Sequence, residues 1–146
     1  MQAAPPPWTY VATAQPFDDE MRERIALHRA RRTDAGWRTL ESPLDLASAL
    51  GEAGDSPVLV DCLTLWLTNL MLGENAIEAA VDVFERACAA RAAPTVLVAN
   101  EVGLGIVSEN ALARRFRDEA GRLNQRMAAC ADTVVLAVAG IPVRIK

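Results

Sequence analysis

The chain has 146 residues, of which 51% are apolar and 23% charged, and a formal net charge of −4. That length suits a single domain over 1–146 with one core, and the composition excludes a disordered chain. The acidic balance removes any general drive toward nucleic acid or anionic membrane, and no apolar run approaches the roughly 20 residues of a membrane helix.

Taken in chain order, the opening Met1-Gln2-Ala3-Ala4 has neither the basic start nor the apolar middle of a signal peptide. Followed by Pro5 to Pro7, it reads as the end of a helix and its exit turn. Met1 is therefore expected to be an internal methionine, and the 146-residue chain alone neither stable nor active. A strand is expected over Trp8–Ala14. A helix over Asp18–Arg32 follows, with Met21, Ile25 and His28 on one stripe. Further strands are expected over Pro57–Cys62, Thr95–Ala99 and Thr133–Ala139, with helices over Ile77–Arg91 and Asn110–Ala131 between them. Three of the strands are near-continuous apolar runs, the pattern of a parallel sheet buried on both faces. Alternating strands and helices then imply a layered α/β domain. Cys62, Cys88 and Cys130 are odd in number and show no metal spacing, so reduced, buried thiols in the cytoplasm are expected.

Ligands of such sheets sit beyond the carboxyl ends of the strands. Thr13-Ala14-Gln15, Asp61, Asn100-Glu101 with Gly103 and Gly105, and Gly140-Ile141-Pro142 follow the four strands, so one polar edge is the expected site. Pro57-Val58-Leu59-Val60-Asp61 has the form of a Walker B segment, whose acid serves Mg²⁺ beside nucleotide phosphates; the same form also arises when Asp merely caps a turn or helix. His28 is the only histidine. It reads either as a half-buried helix residue or as a nucleophile toward phosphorus, kept neutral by the neighbouring arginines. Those arginines read either as a solvated face or as phosphate forks. Gly103 and Gly105 lack the third glycine of a dinucleotide fingerprint. The stripe of Arg114, Arg115, Arg117, Asp118, Asn124 and Gln125 is explained by surface ion pairs.

Together, several segments occur in a recognisable order: Tyr10-Val11-Ala12-Thr13-Ala14-Gln15, Asp19-Glu20-Met21 through His28-Arg29-Ala30-Arg31-Arg32, Trp37 to Glu41, Val60 to Leu70, Asn100 to Gly103, Phe116-Arg117-Asp118, Gly121 to Gln125 and Ala139 to Pro142. The chain resembles the bifunctional adenosylcobinamide kinase / adenosylcobinamide-phosphate guanylyltransferase family of cobalamin biosynthesis from about Trp8 to its C-terminus. The resemblance implies a P-loop NTPase-like (RecA-like) fold with a mostly parallel sheet, a homotrimer, and GTP, ATP and Mg²⁺ as nucleotides and metal. It implies adenosylcobinamide and its phosphate as corrinoid substrates. These are phosphorylated and then joined to GMP through a guanylylated histidine. His28 matches that histidine, and Asp61 matches the acid on the Mg²⁺ and nucleotide side. Ala12, Thr13, Ala14, Arg29, Ala30, Arg31, Arg32 and Glu41 match segments that contact GTP. Ser108 stands where the family usually has proline. The family's first strand and glycine-rich Walker A loop have no counterpart, since the only lysine is Lys146. The expectation is a transferase whose full chain extends upstream; the alternative is an inactive binding or assembly subunit.

Overall fold

The structure, a computed structural model, describes residues 4–16, 19–30 and 36–146; for Met21, Arg24, Ile25, His28, Arg29 and Ala30 it describes the backbone alone. The first three residues, the start expected to be a helix end, lie outside that set, as do Arg31 and Arg32. The chain divides into two compact units, Met1–Asn100 and Glu101–Lys146.

The first unit contains β1 (Trp8–Ala12), α1 (Asp19–Ala30), β2 (Trp37–Glu41), α2 (Leu46–Ala53), β3 (Val58–Asp61), α3 (Leu63–Leu72), α4 (Ile77–Ala89) and β4 (Thr95–Val98). Its four strands form one parallel sheet in the order β2-β1-β3-β4. The fold is α/β with a parallel sheet, as the apolar runs predict.

Burial of the sheet departs from expectation. Thr9, Val11, Val58 and Val60 are at most 1% exposed. On this face α2 packs against β1, and α4 packs against α2 and α3. Leu46 and Leu50 of α2, Leu63, Trp66, Leu67 and Leu70 of α3, and Val81 and Phe84 of α4 complete the core. Trp66 and Phe84 meet with ring centroids 5.3 Å apart. Each such buried side chain contributes on the order of 1.5–3 kcal/mol. Successive strand residues point to opposite faces. The alternate residues Leu59, Val96 and Val98 are only partly buried, the two valines being 39% and 36% exposed. One sheet face is thus buried and the other half-open, against the expected burial of both.

The second unit holds α5 (Ala111–Cys130), β5 (Val135–Val138) and β6 (Ile141–Arg144). Asn110 caps α5, its side chain accepting a hydrogen bond from the Ala113 amide at 3.0 Å. The strand expected over 133–139 exists, but it pairs antiparallel with β6 in a sheet of its own. Ala139 and Gly140 both have positive φ, 51° and 78°, the geometry of a two-residue hairpin turn. A turn that short returns the chain antiparallel, whereas a parallel partner needs a crossover of a dozen or more residues. Gly140, Ile141 and Pro142 therefore belong to a hairpin, and the strand they follow is not a strand of the parallel sheet. Pro142 is tolerated because β6 is an edge strand. Lys146, the only lysine, donates to the carbonyls of Ala128 and Ala129 at 3.1 and 3.0 Å, at the C-terminal end of α5.

Candidate functional site

Sheet order locates the crevice. From β1 the chain crosses to β2 on one side, and from β3 it passes through α3 and α4 to β4 on the other. Neighbouring strands whose connections leave in opposite directions define a topological switch point, where open α/β sheets take their ligands. Here that point lies between the carboxyl ends of β1 and β3.

The last rung of the ladder runs Glu41–Ala12–Asp61–Val98 across β2, β1, β3 and β4. Residues on one rung of a parallel sheet share a face. Two of the expected acids, Glu41 and Asp61, therefore flank Ala12, whose methyl group leaves the space between them open. Asp61 is partly exposed and Glu41 exposed. The Tyr10 hydroxyl donates to Asp61 Oδ2 at 2.5 Å.

Beneath this rung the strand ends are tied together. Thr13 Oγ1 accepts from the Cys62 amide and donates to the Cys62 carbonyl, both at 2.8 Å. The Thr13 amide donates to the Asp61 carbonyl at 3.2 Å. Asn69 Nδ2 donates to the carbonyls of Thr13 at 2.8 Å and Pro43 at 2.9 Å. The Ser42 amide donates to the Ala12 carbonyl at 2.9 Å, and its hydroxyl to the Asp45 carbonyl at 2.7 Å. Buried polar groups need partners, and these have them. Thr13 is 0% exposed with its hydroxyl and backbone engaged. The geometry makes it a strut under the crevice. Ala14 follows in the β1–α1 loop and is partly exposed.

His28, Arg29 and Ala30 lie at the C-terminal end of α1, with their side chains outside the described set. Asn100 closes the first unit, its amide donating to Thr64 Oγ1 at 2.8 Å. Glu101, Gly103 and Gly105 fall in the second unit. There the Gly103 amide donates to Glu101 Oε1 at 2.8 Å, and Arg117 Nη2 donates to the Gly103 carbonyl at 3.0 Å. The three cysteines are free thiols, but only Cys62 is buried; Cys130 is exposed, against expectation. A groove of about 350 Å³ among Leu44, Leu46, Trp66, Leu70, Ala80 and Val83 holds none of the expected site residues.

The donor set fits one kind of metal. Among the described residues no group of three or more metal-ligating side chains occurs. Asp61 and Glu41 are the two carboxylates of this rung, a donor set that suits Mg²⁺, an ion that keeps several waters and takes one or two carboxylates plus substrate phosphates. Sequence reasoning assigned no structural role to Tyr10, Ser42 or Asn69. For Asn69 a signal existed: an amide inside the apolar helix Leu63–Leu72 must find buried partners. Tyr10 stands two residues before Ala12 on the same strand face, a relation that needs the register to be useful.

A parallel α/β sheet with an acid at its switch point fits the P-loop NTPase-like class. The particular family follows from comparison. A family model described as cobinamide kinase / cobinamide phosphate guanyltransferase matches residues 1–145, and the chain belongs to that family. It is 47% identical to the bifunctional adenosylcobalamin biosynthesis protein CobU of Salmonella typhimurium, over 94% of this chain and 84% of that protein. It is likewise 47% identical to CobP of Pseudomonas aeruginosa, over 94% and 82%, and 43% identical to CobU of Escherichia coli, over 94% and 84%. The relatives are cobalamin biosynthesis proteins. No helix among the described residues is long and apolar enough to cross a membrane.

Proposed function

We propose that the chain acts in cobalamin biosynthesis on a corrinoid substrate, phosphorylating adenosylcobinamide and transferring GMP from GTP to adenosylcobinamide phosphate. In the second reaction an imidazole nitrogen of His28 attacks the α-phosphorus of GTP, and pyrophosphate leaves. A phosphate oxygen of the corrinoid then attacks the same phosphorus, the P–N bond breaks, and adenosylcobinamide-GDP is released with His28 regenerated. Asp61 holds a hydrated Mg²⁺ that offsets phosphate charge. Glu41, Ala12 and Ala14 line the nucleotide, Arg29, Arg31 and Arg32 neutralise its phosphates, and Thr13 braces the strand ends. The observation that carries this reading is the Glu41–Ala12–Asp61 rung at the switch point of a chain of this family. ATP or GTP serves the kinase step, and the assembly is a cytoplasmic homotrimer, to be checked by light scattering.

The test is product formation. The full-length protein is incubated with adenosylcobinamide phosphate, GTP and Mg²⁺, and adenosylcobinamide-GDP and pyrophosphate are quantified. Asp61→Asn should cut the rate at least ~10-fold and raise the Mg²⁺ concentration needed, because an amide brings no charge to the ion. Product at an undiminished rate and Mg²⁺ dependence in Asp61→Asn would reduce Asp61 to a cap. No product from the wild type would favour an inactive binding or assembly subunit.

A further inference from the structure

We propose that Tyr10 is the positioning residue of the Asp61 carboxylate, fixing it through Oδ2 so that Oδ1 remains for a hydrated divalent cation. The inference rests on the reading of Asp61 as the cation's carboxylate, and it concerns how this chain prepares that group.

Five observations carry it. Tyr10 Oη donates to Asp61 Oδ2 at 2.5 Å, and an ionised carboxylate is acceptor-only, so the phenol is the donor. Charge-assisted bonds of this type are short and strong. Tyr10 is itself only 8% exposed, and its ring meets Trp37 edge-on, centroids 6.2 Å apart and planes at 86°. Trp37 in turn rests on Trp8 at 5.3 Å, so the phenol is held from behind by two further rings. In the register Tyr10 lies opposite Leu59 and Ala12 opposite Asp61, so the phenol crosses the diagonal between β1 and β3. That diagonal covers two residues of rise at ~3.3 Å each and one strand spacing of ~4.8 Å, within reach of a tyrosine. It passes Ala12, whose methyl does not obstruct it. No other hydrogen bond to the Asp61 carboxylate is present among the described residues.

A carboxylate at a strand end otherwise rotates freely and offers either oxygen. Tying one oxygen to a clamped phenol fixes the rotamer before the ion arrives, and groups that orient a metal ligand typically govern ~10–100-fold in metal affinity. Tyrosine kept only for packing would not behave in this way.

The test uses the full chain and Mn²⁺ alone as the probe, with free Mn²⁺ followed by electron paramagnetic resonance. The wild type should bind, and Asp61→Asn should lose that binding. Tyr10→Phe, which keeps the ring and its contact with Trp37, should weaken it ~10–100-fold with an unchanged circular dichroism spectrum. Tyr10→Phe added to Asp61→Asn should have no further effect. Ala12→Val, which leaves both partners in place and obstructs the diagonal, should weaken binding in the same direction. Wild-type affinity in both Tyr10→Phe and Ala12→Val, with binding lost in Asp61→Asn, would overturn the positioning role alone. Unchanged binding in Asp61→Asn, or none in the wild type, would overturn the reading of Asp61 and this inference with it.

Discussion

Arg91 shows how much one side chain can hold. Its guanidinium donates to the carbonyls of Leu50 and Gly54 at 2.8 Å and Ser56 at 2.7 Å, and its Nε donates to Thr95 Oγ1 at 3.1 Å. The end of α2, the loop into β3 and the start of β4 are joined at one cation. Bonds to a charged donor are each worth about 1.5–3 kcal/mol, less where water competes. Arg91→Ala should therefore cost roughly 2–4 kcal/mol in urea unfolding. Arg91→Lys should recover at most about half, because an ammonium lacks the fork. A loss below ~0.5 kcal/mol would show that water replaces these bonds freely. Little near Arg91 marks this role in the sequence, since three of its four acceptors are backbone carbonyls 35–41 residues away in sequence. Asp61 was legible for the opposite reason, as an acid closing an apolar strand is a local pattern.

At the scale of elements, α2 depends on its first residues. Asp45 caps the helix, accepting from the Ser48 amide at 3.0 Å and from its hydroxyl at 2.6 Å. The Ser48 hydroxyl, then its amide, hold the Asp45 carboxyl below its ordinary 3.8. A depressed folded-state value means the contribution is complete above about pH 3.8 and is lost as pH falls through the folded value. Asp45→Ala should cost about 1 kcal/mol at neutral pH. Asp45→Asn should keep most of the cap there and flatten part of the acid limb of the stability profile. An acid limb identical to wild type in Asp45→Asn would contradict the assignment. The Asp45-Leu46-Ala47-Ser48 start was a readable capping signal, yet α2 was not anticipated. Strand β2 was missed because Trp-Arg-Thr-Leu-Glu has no apolar run, being an edge strand with a charged side chain at Arg38 and at Glu41. The apolar run Leu63–Leu72 fits buried helix or strand by periodicity alone. Strand β5 was legible as a strand, while its partner was decided by two positive φ values that composition does not reveal.

At the scale of the whole molecule, the two units bear on the expectation of one domain over 1–146. Trp8, Trp37 and Trp66 all lie in the first unit, so tryptophan fluorescence reports on it alone, whereas helical circular dichroism also senses the 20-residue α5 of the second. One cooperative domain predicts coincident urea curves by the two probes; separated midpoints would mean two domains. The sheet and its parallel sense were legible because buried parallel strands advertise themselves as apolar runs. The switch point was not, because strand order is set by long-range pairing. The central claim is the nucleophile. The full-length protein and its His28→Ala variant should be incubated with labelled GTP and Mg²⁺, digested at alkaline pH, and mapped by mass spectrometry for a GMP adduct. The account predicts an acid-labile, base-stable GMP on the peptide carrying His28, with none in His28→Ala. A GMP adduct that persists in His28→Ala would contradict it.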